Sequence, residues 1–343
     1  MGIRLLAREL NLSIGTVSRA LNNRPDVNDD TRARVKEAAR RTGYVPDQSG
    51  RSLRKGRTGI VAVVIPTAGA GAQTDGGLFA LLEGCRRGLR EVELDLVVLF
   101  SGPDEDALEC LRRIVSRRIA DAVIINHTTA CDPRLAYLRA SGVEHVSLGR
   151  SAGCAPESWV DFDFEFAAAE SARLFLRAGH RRFALALSEP RMNYEDLLVE
   201  AFRGELARQG VPTEAAVVLR TLGARLTAEG RAAFTDAAAP TAVLAGHEGI
   251  AAGLYGDLAE LGLRVGRDVA LVSTSPIVDN RMLSPRLTHF DTDLDAAGAA
   301  LAERLIAVLP ERGVPRRTPP PALIPLRLVT QASHFATAAV APV

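Results

Sequence analysis

The side chains that most often carry out catalysis or bind metals are scattered along this chain of 343 residues. Its four cysteines lie more than twenty residues apart, form no CxxC pair and have no neighbouring histidine pair that could complete a zinc site; they are Cys85, Cys110, Cys131 and Cys154. The six histidines are also far apart, and no GxSxG, P-loop or HExxH motif occurs. We therefore predict no metal site, no cofactor and no enzymatic activity.

A polar patch near the N-terminus is better suited to binding than to catalysis. Ser13 is a good N-cap for a helix that runs to about Asn22. One face of this helix is apolar, with Val17, Ala20 and Leu21. The opposite face carries small or polar residues, namely Gly15, Ser18, Arg19 and Asn22. The sequence thus predicts an outward face that is small and polar, with one arginine.

Two further short helices are predicted around it. The first is marked by an apolar stripe with helical spacing, at Ile3, Leu6, Ala7 and Leu10. For the third helix, Asn28 is a candidate N-cap, and the helix runs to about Thr42 and stops at Gly43. This pattern is typical of a helix-turn-helix, although a small structural bundle would share it. The exposed polar face of the second helix favours DNA binding.

The charge is unevenly distributed along the chain. The whole sequence has a formal net charge of +1, but residues 1–57 carry 13 Lys and Arg against 6 Asp and Glu, whereas the remainder carries 29 against 35. A basic head is thus joined to a mildly acidic body. Such a division is typical of a nucleic-acid-binding module attached to a domain with another role, and a solvated basic surface is the alternative.

The body is predicted to be an α/β core. Residues 46–57, with a single large apolar residue between arginines, are predicted to be a linker. From residue 59 onward, apolar runs alternate with amphipathic helical stretches, which indicates parallel sheets covered by helices on both faces. A core of this length is expected to form two doubly wound lobes. The strands are predicted at residues 60–65, 94–100, 122–125, 145–148, 183–187, 242–244 and 269–272.

The N-terminal residues and the hydropathy bear on localisation. No apolar run reaches the roughly 18 residues that a membrane helix needs. The N-terminus has an acidic residue, Glu9, early in the chain and lacks the small-residue cleavage site of a secretory signal. A cytoplasmic protein is expected.

Together these segments resemble the LacI/GalR family of bacterial transcription regulators, over nearly the whole chain. Residues 12–22, LSIGTVSRALN, resemble the family's recognition helix, and residues 43–46, GYVP, resemble the end of its head. In the core, residues 178–182, 241–243 and 261–269 match in the same order. The resemblance implies an all-α helix-turn-helix head at residues 1–45, a hinge helix or linker at 46–57 and a periplasmic-binding-protein-like core at 58–343.

The resemblance also implies an assembly and a division of the core. A homodimer, or a tetramer, is expected to bind a pseudo-palindromic operator in double-stranded DNA and to act as a repressor. The first lobe is expected at about residues 58–159 and 289–314, and the second at about 160–288 and 315–343. A ligand between the lobes would shift their relative orientation and so change operator affinity, with either sign.

The residue types fit the DNA-binding role that the family implies. Arg19 can donate two hydrogen bonds to guanine O6 and N7 in the major groove. By family analogy, Ile14 and Gly15 occupy specificity positions, and Leu53 is a wedge that enters the minor groove. Because Gly15 has no side chain, recognition of the bases near it is expected to depend on Ile14, on the shape of the DNA or on bridging water. The remaining DNA-binding residues are Ser13, Thr16, Ser18, Asn22, Tyr44 and Arg51.

The effector site that the family implies is only partly present. Asn126, Phe79 and His247 fit polar and stacking roles, but Leu198 stands where many members have an arginine. Gly149-Arg150 replaces a frequent Asp-Arg pair, and Ser275-Pro276 replaces an Asp-Asp or Asp-containing pair, which weakens the case for a sugar. Three alternatives remain: a polar metabolite of different chemistry, a sugar held by Arg150, Asp163, Arg191 and Asn193, or no small effector. Ser275 is kept as a candidate contact.

A solute-binding protein of the transport type is the main rival function. Such a protein shares the core fold, but it would need a signal peptide and has no use for a basic helical head. Binding to a specific duplex that weakens steeply with salt would separate the two functions.

Overall fold

The computed structural model describes residues 2–21, 23–44, 57–66, 76–102, 105–152, 158–189, 191–309 and 322–335. The chain divides into two compact units, Met1–Thr58 and Gly59–Val343. We call them the head and the core and describe each by itself. Among the described residues, none of the helices has both the length and the apolar composition needed to span a membrane.

The head contains the three predicted helices, α1 (Ile3–Glu9), α2 (Ile14–Leu21) and α3 (Asp29–Thr42). Their predicted ends are confirmed: Ser13 Oγ accepts the Thr16 N–H at 3.0 Å, Asn28 Oδ1 accepts the Asp30 N–H at 2.8 Å, and Gly43 is left-handed with a φ of 62°. The apolar faces meet in a small core formed by Leu6, Ala7, Val17, Ala20, Val27, Val35, Ala38 and Ala39.

The core begins with a first lobe that alternates strands and helices. In chain order its elements are β1 (Ile60–Pro66), α4 (Gly76–Arg90), β2 (Asp95–Ser101), α5 (Ala107–Ser116), β3 (Ala122–Ile125), α6 (Pro133–Ala140), β4 (Glu144–Leu148) and β5 (Trp159–Phe162). A six-stranded parallel sheet has the order β12-β5-β4-β3-β1-β2, where β12 (Ala322–Ile324) returns from near the end of the chain. Apolar strands such as β3 are buried on both faces, as a covered parallel sheet requires.

The second lobe repeats this architecture. Its elements are α7 (Phe164–Arg177), β6 (Phe183–Glu189), α8 (Asn193–Arg208), β7 (Ala216–Leu222), β8 (Arg225–Leu226), α9 (Ala228–Ala232), β9 (Ala242–Ala245), α10 (Glu248–Glu260), β10 (Ala270–Ser273), β11 (Thr288–Asp291) and β13 (Arg327–Val329). The seven-stranded sheet has the order β13-β11-β10-β9-β6-β7-β8, and only the two edge strands, β8 and β13, are antiparallel to their neighbours.

The predicted limits of the lobes differ from the observed sheets in three places. Strand β5 at residues 159–162 pairs in the first sheet, although residues from about 160 onward were expected in the second lobe. Strand β11 at residues 288–291 pairs in the second sheet, although residues from 289 onward were expected in the first lobe. Strand β12 at residues 322–324 pairs with β5 in the first sheet, although residues from 315 onward were expected in the second lobe. The chain therefore crosses between the lobes after β5, after β11 and after β12. Strand β11 is short and contains polar residues, and β12 has only three residues, so neither gives a pattern strong enough to locate these crossings from sequence.

Helix α11 (Leu294–Val308) follows the second crossing and packs closely on α4. A Cβ atom on Gly298 would overlap the carbonyl oxygen of Leu81, and one on Gly84 would overlap that of Asp295. Glycine is required at both positions because the two helix backbones approach so closely. This contact fixes Leu81 and Leu294 where the lobes face each other.

Candidate nucleic-acid interface and ligand cavity

The start of α2 carries most of the predicted DNA-binding residues on one exposed surface. Ile14 is 44% exposed although it is apolar, and Gly15 and Arg19 are also exposed. Val17 and Ala20, on the opposite face, are fully buried in the head. Ile14 therefore does not serve the small core of the head, and its exposure leaves it available to a partner.

The other predicted residues of this surface surround the helix start or lie outside the described residues. Ser13 Oγ and Thr16 Oγ1 lie 2.9 Å apart, and Ser18 is half-buried. Tyr44 follows α3 and packs against the head core, so its ring is partly used for folding. Asn22, Arg51 and Leu53 lie outside the described residues, as does the predicted linker up to residue 56.

A cavity of about 220 Å³ lies between the two lobes of the core. Its walls come from the carboxyl ends of parallel strands and the residues that follow them, including Ile65, Asn126, Leu148, Ser188 and Thr274. Loops and helix starts meet at this edge of a parallel sheet, which is where ligands bind in open α/β folds. The two lobes also touch beside the cavity, where the Asn193 N–H donates to the Thr128 carbonyl at 2.9 Å.

Three of the eight predicted effector residues line the cavity. Asn126 is 3% exposed, and its side-chain oxygen has no hydrogen-bond partner among the described residues. His247 Nδ1 accepts the Gly249 N–H at 3.1 Å and so caps α10. Ser275 Oγ accepts the Glu248 N–H at 3.0 Å and donates to the Glu248 carboxylate.

The other five predicted residues are not part of the cavity lining. Phe79 is on the outer surface of α4 and is 73% exposed. Arg150 is directed towards two carboxylates instead, since Nε donates to Asp161 at 2.7 Å and the terminal nitrogens donate to Glu165 at 2.7 and 2.8 Å.

Asp163, Arg191 and Asn193 have local roles. Asp163 caps α7 through the Phe166 N–H, Arg191 forms a surface ion pair with Asp196, and Asn193 is the first residue of α8. These side chains meet local helix ends and surface charges, so the sugar contacts proposed for them have no structural support.

Residues that were not predicted also line the cavity. Tyr194 and Glu248 line it, each one position after a predicted residue, and Asp161 lines it from β5. The rotation of a helix start decides which of two neighbours faces inward, and sequence alone does not define that rotation within one residue. Strand β5 was not predicted because a carboxylate interrupts its short apolar run.

Burial changes the acidity of several groups at the cavity. It raises the pKa of Asp161, and the Arg150 guanidinium only partly opposes that change. Burial, with the nearby Glu195 and Glu248 carboxylates, raises the pKa of the Tyr194 phenol well above its ordinary value. Tyr194 therefore stays neutral and can act as a hydrogen-bond donor.

The cavity wall combines aromatic rings with acidic groups. The rings of Phe164 and Tyr194 stack with centroids 4.7 Å apart, and Phe162 meets Phe164 edge to face at 6.0 Å. The described lining includes the carboxylates of Asp161 and Glu248 and contains no lysine or arginine. This environment suits a ligand with an apolar face and hydroxyl groups, and it repels anions.

Residues 3–47 match the family described as bacterial regulatory proteins, lacI family, and residues 172–334 match the periplasmic binding protein-like domain. The HTH-type transcriptional regulator AglR of Rhizobium meliloti (strain 1021) is 33% identical over 331 residues, which cover 91% of this chain and 89% of AglR. The chain belongs to the LacI family. It is a DNA-binding transcriptional regulator with a ligand-binding core, as its sequence predicted.

Solved structures agree on the fold. The Lac repressor dimer bound to operator and the anti-inducer ONPF has a TM-score of 0.78 and 19% identity, covering 98% of this chain and 99% of that one. The complex of the transcriptional regulator CelR with cellobiose has a TM-score of 0.66 and 22% identity, covering 97% and 99%. The predicted fold class, a helical head with two parallel-sheet lobes, is confirmed.

Proposed function

We propose that this LacI-family regulator is a repressor that binds a pseudo-palindromic operator as a homodimer, and that a small uncharged ligand in the interlobe cavity changes its operator affinity. The side-chain oxygen of Asn126, buried in the cavity wall with no hydrogen-bond partner among the described residues, carries the ligand part of the proposal. A buried acceptor without a hydrogen bond costs about 1–3 kcal/mol, which a ligand donor would recover.

The exposed surface of α2 supports the operator part. In this proposal Arg19 donates to guanine, Ile14 contacts a thymine methyl group, and Ser13 and Thr16 contact phosphates at the helix start. The dimer is supported by the fold shared with the operator-bound Lac repressor dimer. Two heads would then meet two half-sites, and the orientation of the lobes would set the energy of that docking.

The chemistry of the cavity supports a polyhydroxylated ligand. Asp161, Glu248 and Asn126 provide acceptors for hydroxyl groups, while Phe164 and Tyr194 provide an aromatic wall. These groups compensate for the family's carboxylates that are replaced at Gly149 and at Ser275-Pro276. The volume of about 220 Å³ lies below the roughly 300–1,000 Å³ of typical ligand pockets, so a compact ligand is expected.

A thermal-shift screen tests the ligand part. Neutral sugars and polyols would be compared with the phosphorylated and carboxylated forms of the same compounds, and with nucleosides. A ligand at 100 times its Kd should stabilise the core by about 2.7 kcal/mol, and the anionic forms should not. Stabilisation by the anionic forms alone would contradict the proposal that the ligand is uncharged. If no compound stabilised the protein, the proposal of a small effector would fail.

Fluorescence anisotropy with the DNA upstream of the gene tests the operator part. Specific affinity should fall steeply between about 50 and 200 mM salt, because each phosphate contact releases counterions. Adding a ligand found in the screen should change the affinity for that duplex. Binding that is equal for all duplexes, or insensitive to salt, would contradict operator recognition.

A further inference from the structure

The Arg19 guanidinium is paired with an acidic residue from the turn that follows α2. Arg19 Nε lies 3.4 Å from Asp26 Oδ2, and the two side chains are 52% and 58% exposed. Asp26 lies seven positions further along the chain, in the segment between α2 and α3. The pair is therefore a feature of the turn between the two helices rather than of α2 alone.

The Arg19 side chain extends back along α2 towards the start of the helix. A Cβ atom placed on Gly15 would lie 3.9 Å from Arg19 Nη1, which is ordinary van der Waals contact. The guanidinium thus lies over the backbone one turn before its own Cα, in the direction that helical side chains prefer. Base contacts are made from this part of a recognition helix.

The turn that carries Asp26 is itself held on both sides. Arg32 Nη2 donates to the Arg24 carbonyl at 3.0 Å and to the Val27 carbonyl at 2.8 Å. Val27 is buried in the head core, and the Arg24 N–H donates to the Arg19 carbonyl at 3.0 Å. The backbone on each side of Asp26 is therefore fixed before any partner binds.

We propose that Asp26 is a positioning residue that sets how strongly Arg19 selects guanine. The guanidinium has a side edge, which includes Nε, and an end edge formed by Nη1 and Nη2. Asp26 occupies the side edge, which leaves the end edge for the O6 and N7 acceptors of guanine. The carboxylate limits the rotamers of Arg19 and so reduces the entropy lost when the base is read. This inference rests on the proposed operator recognition.

The proposal predicts opposite effects on specificity and on general affinity. Asp26 repels phosphates, so its loss should strengthen binding to all DNA. Its loss should also release Arg19 and weaken discrimination at one base pair. A purely structural role would weaken binding as a whole, whereas a purely electrostatic role would strengthen binding equally on every sequence.

The full-length protein can be tested by selection from a pool of randomised DNA duplexes, read by sequencing. The variants are Asp26→Asn, Arg19→Ala and the control Asp30→Asn, which removes one negative charge from an exposed residue of the same head. Arg19→Ala should lower the preference for guanine at one position of each half-site by about 5- to 150-fold. Asp26→Asn should lower it there by about 2- to 5-fold, as expected for an exposed pair.

The control and the double variant separate the outcomes. Asp30→Asn should strengthen binding to all duplexes and leave the guanine preference unchanged. In the Arg19→Ala background, Asp26→Asn should cause no further loss of preference. Equal guanine preference in Asp26→Asn and Asp30→Asn would overturn the positioning role, and so would a loss spread over all positions. If the wild-type protein selects no sequence at all, the proposed operator recognition fails instead.

Discussion

The head and the interlobe cavity differ in how their binding residues are assembled. The head presents exposed side chains from one eight-residue helix, and residues 1–57 around it are basic. The cavity lies between the lobes and is lined by carboxylates, and its walls come from residues between 65 and 294. A surface built from neighbours in sequence needs a capped helix and the small core that supports it. A cavity assembled from distant segments needs the whole core unit to fold first.

The head and the core should also differ in stability. Eight buried apolar residues, none larger than leucine, form the head core. The core unit contains fully buried phenylalanines such as Phe175, Phe183 and Phe202, which pack against one another. Small units bury a smaller fraction of their surface, so the head is expected to be the less stable of the two.

The largest effect is expected from Leu6→Ala in the head. Leu6 is fully buried, and its truncation should cost about 2–5 kcal/mol, which a domain of this size cannot absorb. We expect DNA binding and the calorimetric transition of the head to be lost, while the core keeps its own transition and its response to ligand. The control is Leu5→Ala, since Leu5 is 55% exposed on the same helix.

A single transition that shifts as a whole in Leu6→Ala would contradict the difference between the two units. Loss of ligand binding in this variant would contradict it as well, because Leu6 packs in a cluster whose described buried residues lie between positions 6 and 39 of the head.

The second effect concerns the cavity, where one substitution should raise the stability of the ligand-free protein and lower its ligand affinity. Asn126→Leu removes a buried acceptor that has no partner among the described residues, so the ligand-free protein should become more stable by about 1 kcal/mol. The same variant should bind a ligand found in the screen about 5- to 150-fold more weakly. Thermal unfolding with and without ligand measures both effects.

Arg191→Ala is the matched control for the cavity, because Arg191 was predicted to contact the ligand but forms an exposed ion pair with Asp196 instead. Its ligand affinity should stay at the wild-type value. Both variants should bind operator normally in the absence of ligand. If ligand affinity fell in Arg191→Ala but not in Asn126→Leu, the ligand would bind outside the interlobe cavity.

The smallest effect is expected at a charge cluster outside both surfaces. Glu205 accepts hydrogen bonds chiefly from Arg173, and also from Gln209 and Arg208, which lowers its pKa to about 2. A lowered pKa stabilises the folded protein above the ordinary value near 4.5, and this contribution is lost as the pH falls from about 4.5 to about 2.

Glu205→Gln should therefore destabilise the core at neutral pH by about 1 kcal/mol, since the arginine partners remain partly exposed. Between about pH 4.5 and pH 2 its stability should decline less steeply than that of the wild type, as urea unfolding at several pH values would show. Operator specificity and ligand affinity should not change. An unchanged acid profile would mean that these ion pairs add nothing to folding.

The head could be derived almost completely from the sequence. Helical periodicity placed the three helices, and Ser13, Asn28 and Gly43 placed their ends, because caps are local interactions. In the core, the seven predicted strands are present. Strands β5, β7, β8, β11, β12 and β13 were missed because they are short, lie near sheet edges or contain charged residues such as Asp161 and Arg327.

The residues of the cavity could be predicted from the sequence only in part. Asn126, His247 and Ser275 were found through the family resemblance, and each lies within two residues of the end of a buried strand. Tyr194 and Glu248 were each missed by one residue, because the exact rotation of a helix start depends on the packing behind it. Arg150 was assigned to a ligand because its type suits one, yet its donors are taken by Asp161 and Glu165.

The sequence by itself determined the class of this protein, since hydrogen bonds within one helical turn and apolar periodicity over a few turns define the head and the alternation of the core. Tertiary structure alone decided which polar groups share the cavity and which arginines are already paired. The cavity brings together residues more than a hundred positions apart, such as Asn126 and Glu248, and no local pattern records that they share one wall. The Arg19–Asp26 pair, seven residues apart across a turn, lies between these two cases.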